Sequence, residues 1–146
     1  MKQSDSANSP TLLPMPIHGV DRAVLIMMRR MGGYGLRDAH AAMLALKHFG
    51  TGFRQPLVLL RCYMAEIAQA SERSIMIANC CAPKMTRDEG LLLETLAQAG
   101  QQPGGNPERA QRNLQELTGG RNAGRALTVA SAFSNALHNS GIQLEG

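Results

Sequence analysis

The sequence has no tryptophan, two tyrosines and three phenylalanines, and its lysines number three against twelve arginines. So few aromatic rings exclude a stacking platform for single-stranded nucleic acid, which carries successive bases on exposed rings. A β-rich core is disfavoured for the same reason, since sheets draw on β-branched and aromatic side chains. Three cysteines, Cys62, Cys80 and Cys81, are too few for a secreted disulfide framework. The first twenty residues contain no continuous apolar stretch of the signal-peptide kind. The longest uncharged apolar runs, such as Ala23 to Met28, fall far below the ~18 residues of a membrane span. The expected location is therefore reducing and cytoplasmic.

What is present is aliphatic. Leu, Ala, Met, Ile and Val carry most of the 44% apolar content, and methionine fills irregular gaps between packed helices. At 146 residues the chain has the size of one domain, which buries about 70% of its unfolded surface without needing staples. A net charge of +4 serves mainly solubility, while arginine in place of lysine suits paired, interfacial contacts.

Periodicity and punctuation predict an all-α fold, a compact bundle of about six helices over residues 19–146 behind a disordered tail over residues 1–18. Ser4, Ser6, Ser9, Pro10, Pro14 and Pro16 give that tail little to bury. Asp21 opens a first helix that Gly32-Gly33 is expected to stop near Met31. A second runs from Leu36 or Asp38 to Phe49. A third is expected to start at Pro56 and reach Ala70, apolar round most of its wheel and hence central. The capping box Thr86-Arg87-Asp88-Glu89 opens a fourth, to about Ala99, and Asn106-Pro107 opens a fifth, ending at Gly119. The sixth spans about Asn122 to Asn139. Residues 71–85 break the pattern. Ile75, Met76 and Ile77 in that segment are expected to pack on the third helix, burying at least one of Cys80 and Cys81 near Cys62.

The Cys80-Cys81 pair is the least ordinary feature. Adjacent Cα atoms lie ~3.8 Å apart, short of the usual disulfide span of about 4.4–6.8 Å, so a bond between these two is not expected. Pairing with Cys62, or joint binding of a soft metal such as Zn²⁺ or Cu⁺ with a histidine, is the chemical alternative to a structural role, although the spacing matches no zinc motif. If Cys81 faces the Thr86 helix start, with Lys84 and Arg87 nearby, its pKa is expected to fall. Asp88 and Glu89 are read as capping and dipole partners rather than an acid/base pair. His40 and His48 lack a carboxylate relay, and Gly32-Gly33-Tyr34-Gly35 lacks the strand and lysine of a phosphate loop. No G-x-S-x-G, H-E-x-x-H or kinase set occurs, so neither a catalytic residue nor a cofactor is expected.

Arginines at 29, 30 and 37, and at 109, 112, 121 and 125, offer phosphate contacts but no recognition helix, so no specific nucleic-acid binding is expected, and no membrane association. Leu12, Leu13, Met15 and Ile17 are more apolar than a spacer requires and form a candidate docking motif in extended conformation. The expected function is that of a non-enzymatic helical interaction or regulatory protein with a protein partner or a second copy of itself. The alternative is a thiol-redox or soft-metal protein built on Cys62, Cys80 and Cys81.

The runs Leu-Arg-Cys-Tyr-Met-Ala-Glu from Leu60 and Cys-Cys-Ala-Pro-Lys-Met-Thr-Arg-Asp-Glu from Cys80 resemble a family of small uncharacterised helical bacterial proteins, a domain of unknown function. Arg29-Arg30-Met31, Asp38-Ala39-His40-Ala41-Ala42 and Arg54 to Arg61 share the likeness, which covers about residues 20–138. It implies no activity.

Overall fold

The computed structural model describes residues 12–120 and 122–145. Six helices dominate: α1 (Gly19–Tyr34), α2 (Ala39–Phe49), α3 (Arg54–Ala70), α4 (Arg87–Gln98), α5 (Pro107–Thr118) and α6 (Gly124–Asn139). α3 packs most extensively on α6, α4 on α5, and α1 on α2. Small residues make the first contact close. Ala126 and Ala130 of α6 are buried, as are Leu60, Met64 and Ile67 of α3. Phe49 and Phe133 meet edge to face, with centroids 6.3 Å apart, and tie α2 to α6.

The predicted caps form. Thr86 accepts from the Glu89 amide at 3.0 Å while Glu89 accepts from the Thr86 amide at 2.9 Å, closing the capping box. Asn106 accepts from the Arg109 amide at 3.1 Å ahead of Pro107, and Gly119 ends α5 in the left-handed region at φ 70°.

Two boundaries differ from expectation. α1 runs through Gly32-Gly33 to Tyr34, with Gly35 at φ 109° as the actual stop. Glycine costs only ~1 kcal/mol in a helix interior, and the last turn is held by Arg30, whose guanidinium lies 4.1 Å from the centroid of the Tyr34 ring and pairs with Asp38 at 2.9 Å. α3 starts at Arg54, placing Pro56 third. Proline is tolerated there because the first four amides of a helix have no partner within it.

Residues 1–11 of the expected tail lie outside the described residues. Of the rest, Leu13–Pro14 form a two-residue strand, β1, antiparallel to β2 (Lys84–Met85), with Leu13 opposite Met85. Leu13 and Met15 are half-buried, Met15 against the core, whereas Leu12 and Ile17 are exposed. The docking expected of this stretch is thus made onto the chain itself by two of its four apolar residues. Gly90 permits it, since a Cβ there would stand 2.7 Å from Leu13 Cδ1.

Candidate functional site

The apolar stripe of α1 that carries Leu25 and Met28 also carries Asp21 and Arg29, and both charged residues are buried. A buried guanidinium needs a counter-charge and acceptors for its remaining N–H groups. Glu89, in the first turn of α4, supplies the counter-charge. Arg29 Nε donates to Oε2 at 2.8 Å and Nη2 to Oε1 at 3.0 Å, with both side chains at most 1% exposed. Arg29 Nη1 and Nη2 also donate to the carbonyls of Ala82 and Lys84, each at 2.9 Å. Glu89 also accepts from the Ala78 amide at 3.1 Å. Its neighbour Asp88 accepts from the Met76 amide at 2.8 Å and from Arg73. The segment between α3 and α4 is therefore laid over a charged node, not simply over apolar surface.

That node decides where the cysteines go. Ile75 and Ile77 are buried as expected, but beyond them the chain turns outward so that its backbone meets Arg29 and Glu89. Ala82 N–H donates to the Asn79 carbonyl at 3.1 Å, which makes Cys80 and Cys81 the corner residues of a β-turn without positive φ. Cys80 is half-buried and Cys81 exposed. The expected burial of one of them near Cys62 does not occur, and Cys62 is itself exposed on α3. The two corner thiols stand 3.5 Å apart, within sulfur hydrogen-bond range. That contact with Cys80 is the main cause holding the Cys81 thiol above its ordinary pKa, against the pull of Arg29 and Arg30, so the lowering expected from the Thr86 helix start is reversed. Among the described residues, no three His, Cys, Asp or Glu side chains are grouped to hold a metal.

On the other side of β2 lies a groove of about 630 Å³ between residues 13–18, the start of α4 and one face of α5. Met15, Met85 and Leu91 supply its apolar floor. Its rim is charged: Arg87 pairs with Glu116, and Arg109 with Glu94 at 2.6 Å. Desolvation pushes the Glu94 carboxyl up, yet the hydrogen bonds from Arg109 and Asn113 outweigh it and leave the pKa below the ordinary value. Glu145 joins the rim as its amide donates to Asp21 at 3.1 Å, folding the C-terminal segment back on α1.

The remaining sequence candidates are not assembled into a site. His40 is exposed and His48 half-buried on α2. Gly32 to Gly35 lie at the carbonyl end of α1, where the Gly35 amide is used by Met31. Among the arginines considered as basic patches, Arg29 is buried, while Arg30, Arg109 and Arg125 pair with Asp38, Glu94 and Glu66. Arg121 lies outside the described residues. The Arg29–Glu89 node went unseen in the sequence because its partners are sixty residues apart. A signal existed, however, in the spacing i, i+4, i+8 of Asp21, Leu25 and Arg29, which puts two charges on a core stripe.

Fold and site together define a small helical bundle with an apolar, charge-rimmed groove beside a thiol-bearing turn. The chain belongs to a family of unknown function, DUF6628, whose family model matches residues 2–139. No curated protein and no solved structure matches it. Among the described residues no helix is long and apolar enough to cross a membrane.

Proposed function

We propose that this protein is a non-enzymatic interaction protein whose groove between β1, α4 and α5 receives a short apolar segment, carrying a basic side chain, from a protein partner. The groove carries the reading. Its floor is half-buried apolar surface set inside a charged rim, and flexible methionines at positions 15 and 85 adapt to a segment laid on them. Its charge is the reverse of the chain's. Even with Asp21 set aside as the acceptor of the Glu145 amide, three carboxylates, Glu94, Glu116 and Glu145, face two guanidiniums in a protein of net charge +4.

The carboxylates that stand first in line for chemistry support the same reading. Both Glu89 oxygens already accept two donors each, which leaves no lone pair directed at a substrate. Three free thiols suit a reducing, cytoplasmic compartment.

Selection of random peptides displayed against the full chain tests the proposal. Enriched peptides are expected to combine aliphatic residues with Lys or Arg, to bind less tightly as salt rises, and to lose affinity for Leu91→Lys, which offsets the excess carboxylate of the rim from a half-buried position on the floor. No enrichment, or binding indifferent to Leu91→Lys and to salt, would overturn it.

A further inference from the structure

The corner thiols of the 79–82 turn have a second, independent chemistry. We propose that Cys80 and Cys81 form a chelating site for a thiophilic centre that takes two thiolates, with trivalent arsenic bearing one organic group as the type ligand, and that Cys62 takes no part. Several observations converge on it. The sulfurs already stand 3.5 Å apart, one on each corner residue, so the pair meets an incoming atom without rearranging the backbone. The turn beneath is fixed from three sides: its own hydrogen bond from Ala82 to Asn79, the Arg29 donations to Ala82 and Lys84, and the Glu89 contact to Ala78. Preorganisation of this kind removes the ordering cost of chelation. Cys81 is exposed and Cys80 half-buried, so the site opens to solvent. Arg29 and Arg30 offset part of the rise that Cys80 imposes on the Cys81 thiol.

Other thiol chemistries fit less well. A disulfide needs the sulfurs at ~2.05 Å and a Cα span that adjacent residues fall short of, whereas an atom held between them leaves the separation nearly as it is. Zinc takes four ligands in a closed site, and among the described residues no third His, Cys, Asp or Glu is grouped with this pair. With an organoarsenic(III) oxide, two As–S bonds form and the As–O double bond breaks. The oxygen leaves as water carrying both thiol protons, and arsenic stays trivalent throughout.

Phenylarsine oxide is the probe, added to the full chain under native conditions and read by intact mass and by mapping of iodoacetamide-labelled cysteines. One phenylarsenic group per chain is expected, retained in excess monothiol and removed by a small dithiol, with Cys80 and Cys81 protected from labelling and Cys62 still labelled. Cys62→Ser should bind as the wild type does. Cys80→Ser and Cys81→Ser should bind about 100-fold more weakly or worse, as expected when a chelate is reduced to one bond. Circular dichroism should show both variants folded, and the labelling pattern of the wild type stands whether they fold or not. Undiminished binding by Cys80→Ser or Cys81→Ser, loss of binding in Cys62→Ser, stripping by monothiol, or unprotected Cys80 and Cys81 in the wild type would each overturn the proposal.

Discussion

Replacing Glu89 with glutamine removes one charge and almost no volume, and the geometry makes its effect calculable. Oε1 accepts from Arg29 Nη2 at 3.0 Å and the Thr86 amide at 2.9 Å, and Oε2 from Arg29 Nε at 2.8 Å and the Ala78 amide at 3.1 Å. Whichever oxygen becomes the NH2 group, it therefore faces two donors and can satisfy neither. The Arg29 charge is left buried and uncompensated, a situation that costs about 3–5 kcal/mol, a large part of the ~5–15 kcal/mol stability of a typical domain. For a chain of this size that corresponds to a fall in Tm of roughly 10–20 °C.

Urea unfolding followed by circular dichroism measures the loss. Arg29→Met should cost a similar amount by leaving Glu89 unpaired. The double variant Arg29→Met/Glu89→Leu should be less destabilised than the sum of the two single variants by about 2 kcal/mol or more. It should not return to wild type, because the Ala82 and Lys84 carbonyls and the Ala78 amide lose their partner groups. A Glu89→Gln cost below about 1 kcal/mol, or strict additivity in the double variant, would refute the node as the anchor of the 71–86 segment.

Other outcomes follow from the same geometry. Gly90→Ala should leave Tm nearly unchanged, because alanine gains up to ~1 kcal/mol of helix propensity while its Cβ displaces Leu13. It should, however, speed proteolytic cleavage within residues 12–18, and unchanged cleavage would contradict the docking of β1. The carboxyls of Asp38, held down by Arg30, and of Glu94 titrate below their ordinary values of 3.8 and 4.5. Their contribution is complete above those values and lost as pH falls through the depressed ones. The unfolding midpoint should therefore be flat from neutral pH down to about 5 and fall below it, less steeply in Asp38→Asn/Glu94→Gln; equal slopes would contradict the pairing. Thiol labelling of the folded, reduced protein should find the exposed Cys62 reacting nearly as fast as in denaturant, and the half-buried Cys80 and the Cys81 thiol, held above its ordinary pKa by Cys80, reacting more slowly; equal protection of all three would place them in the core against the geometry described.

The helices were readable because their signals are local. The Thr86-to-Glu89 box, the Asn106-Pro107 start and the stops after Phe49 and at Gly119 each act within one turn, and all four are in place. The errors arose where side-chain contacts override the local signal. Gly32-Gly33 fails to stop α1 because Arg30 reaches Tyr34 and Asp38, four and eight residues on, and the cysteines face outward because the backbone beside them is claimed by Glu89 and by the distant Arg29. The groove was half visible. Leu13 and Met15 stood out as too apolar for a spacer, but nothing in the sequence brings Glu94, Glu116 and Glu145 to one rim, which takes α4, α5 and the C-terminal segment together.

Methionine methyl resonances test the groove most directly. Nine methionines are spread over the chain, with Met15 and Met85 on the groove floor and Met43 exposed on α2. Titration with a selected basic, apolar peptide should shift the Met15 and Met85 methyl signals in step with binding and leave Met43 in place. Shifts confined to Met43, or a bound peptide that moves neither Met15 nor Met85, would contradict the groove as the binding surface.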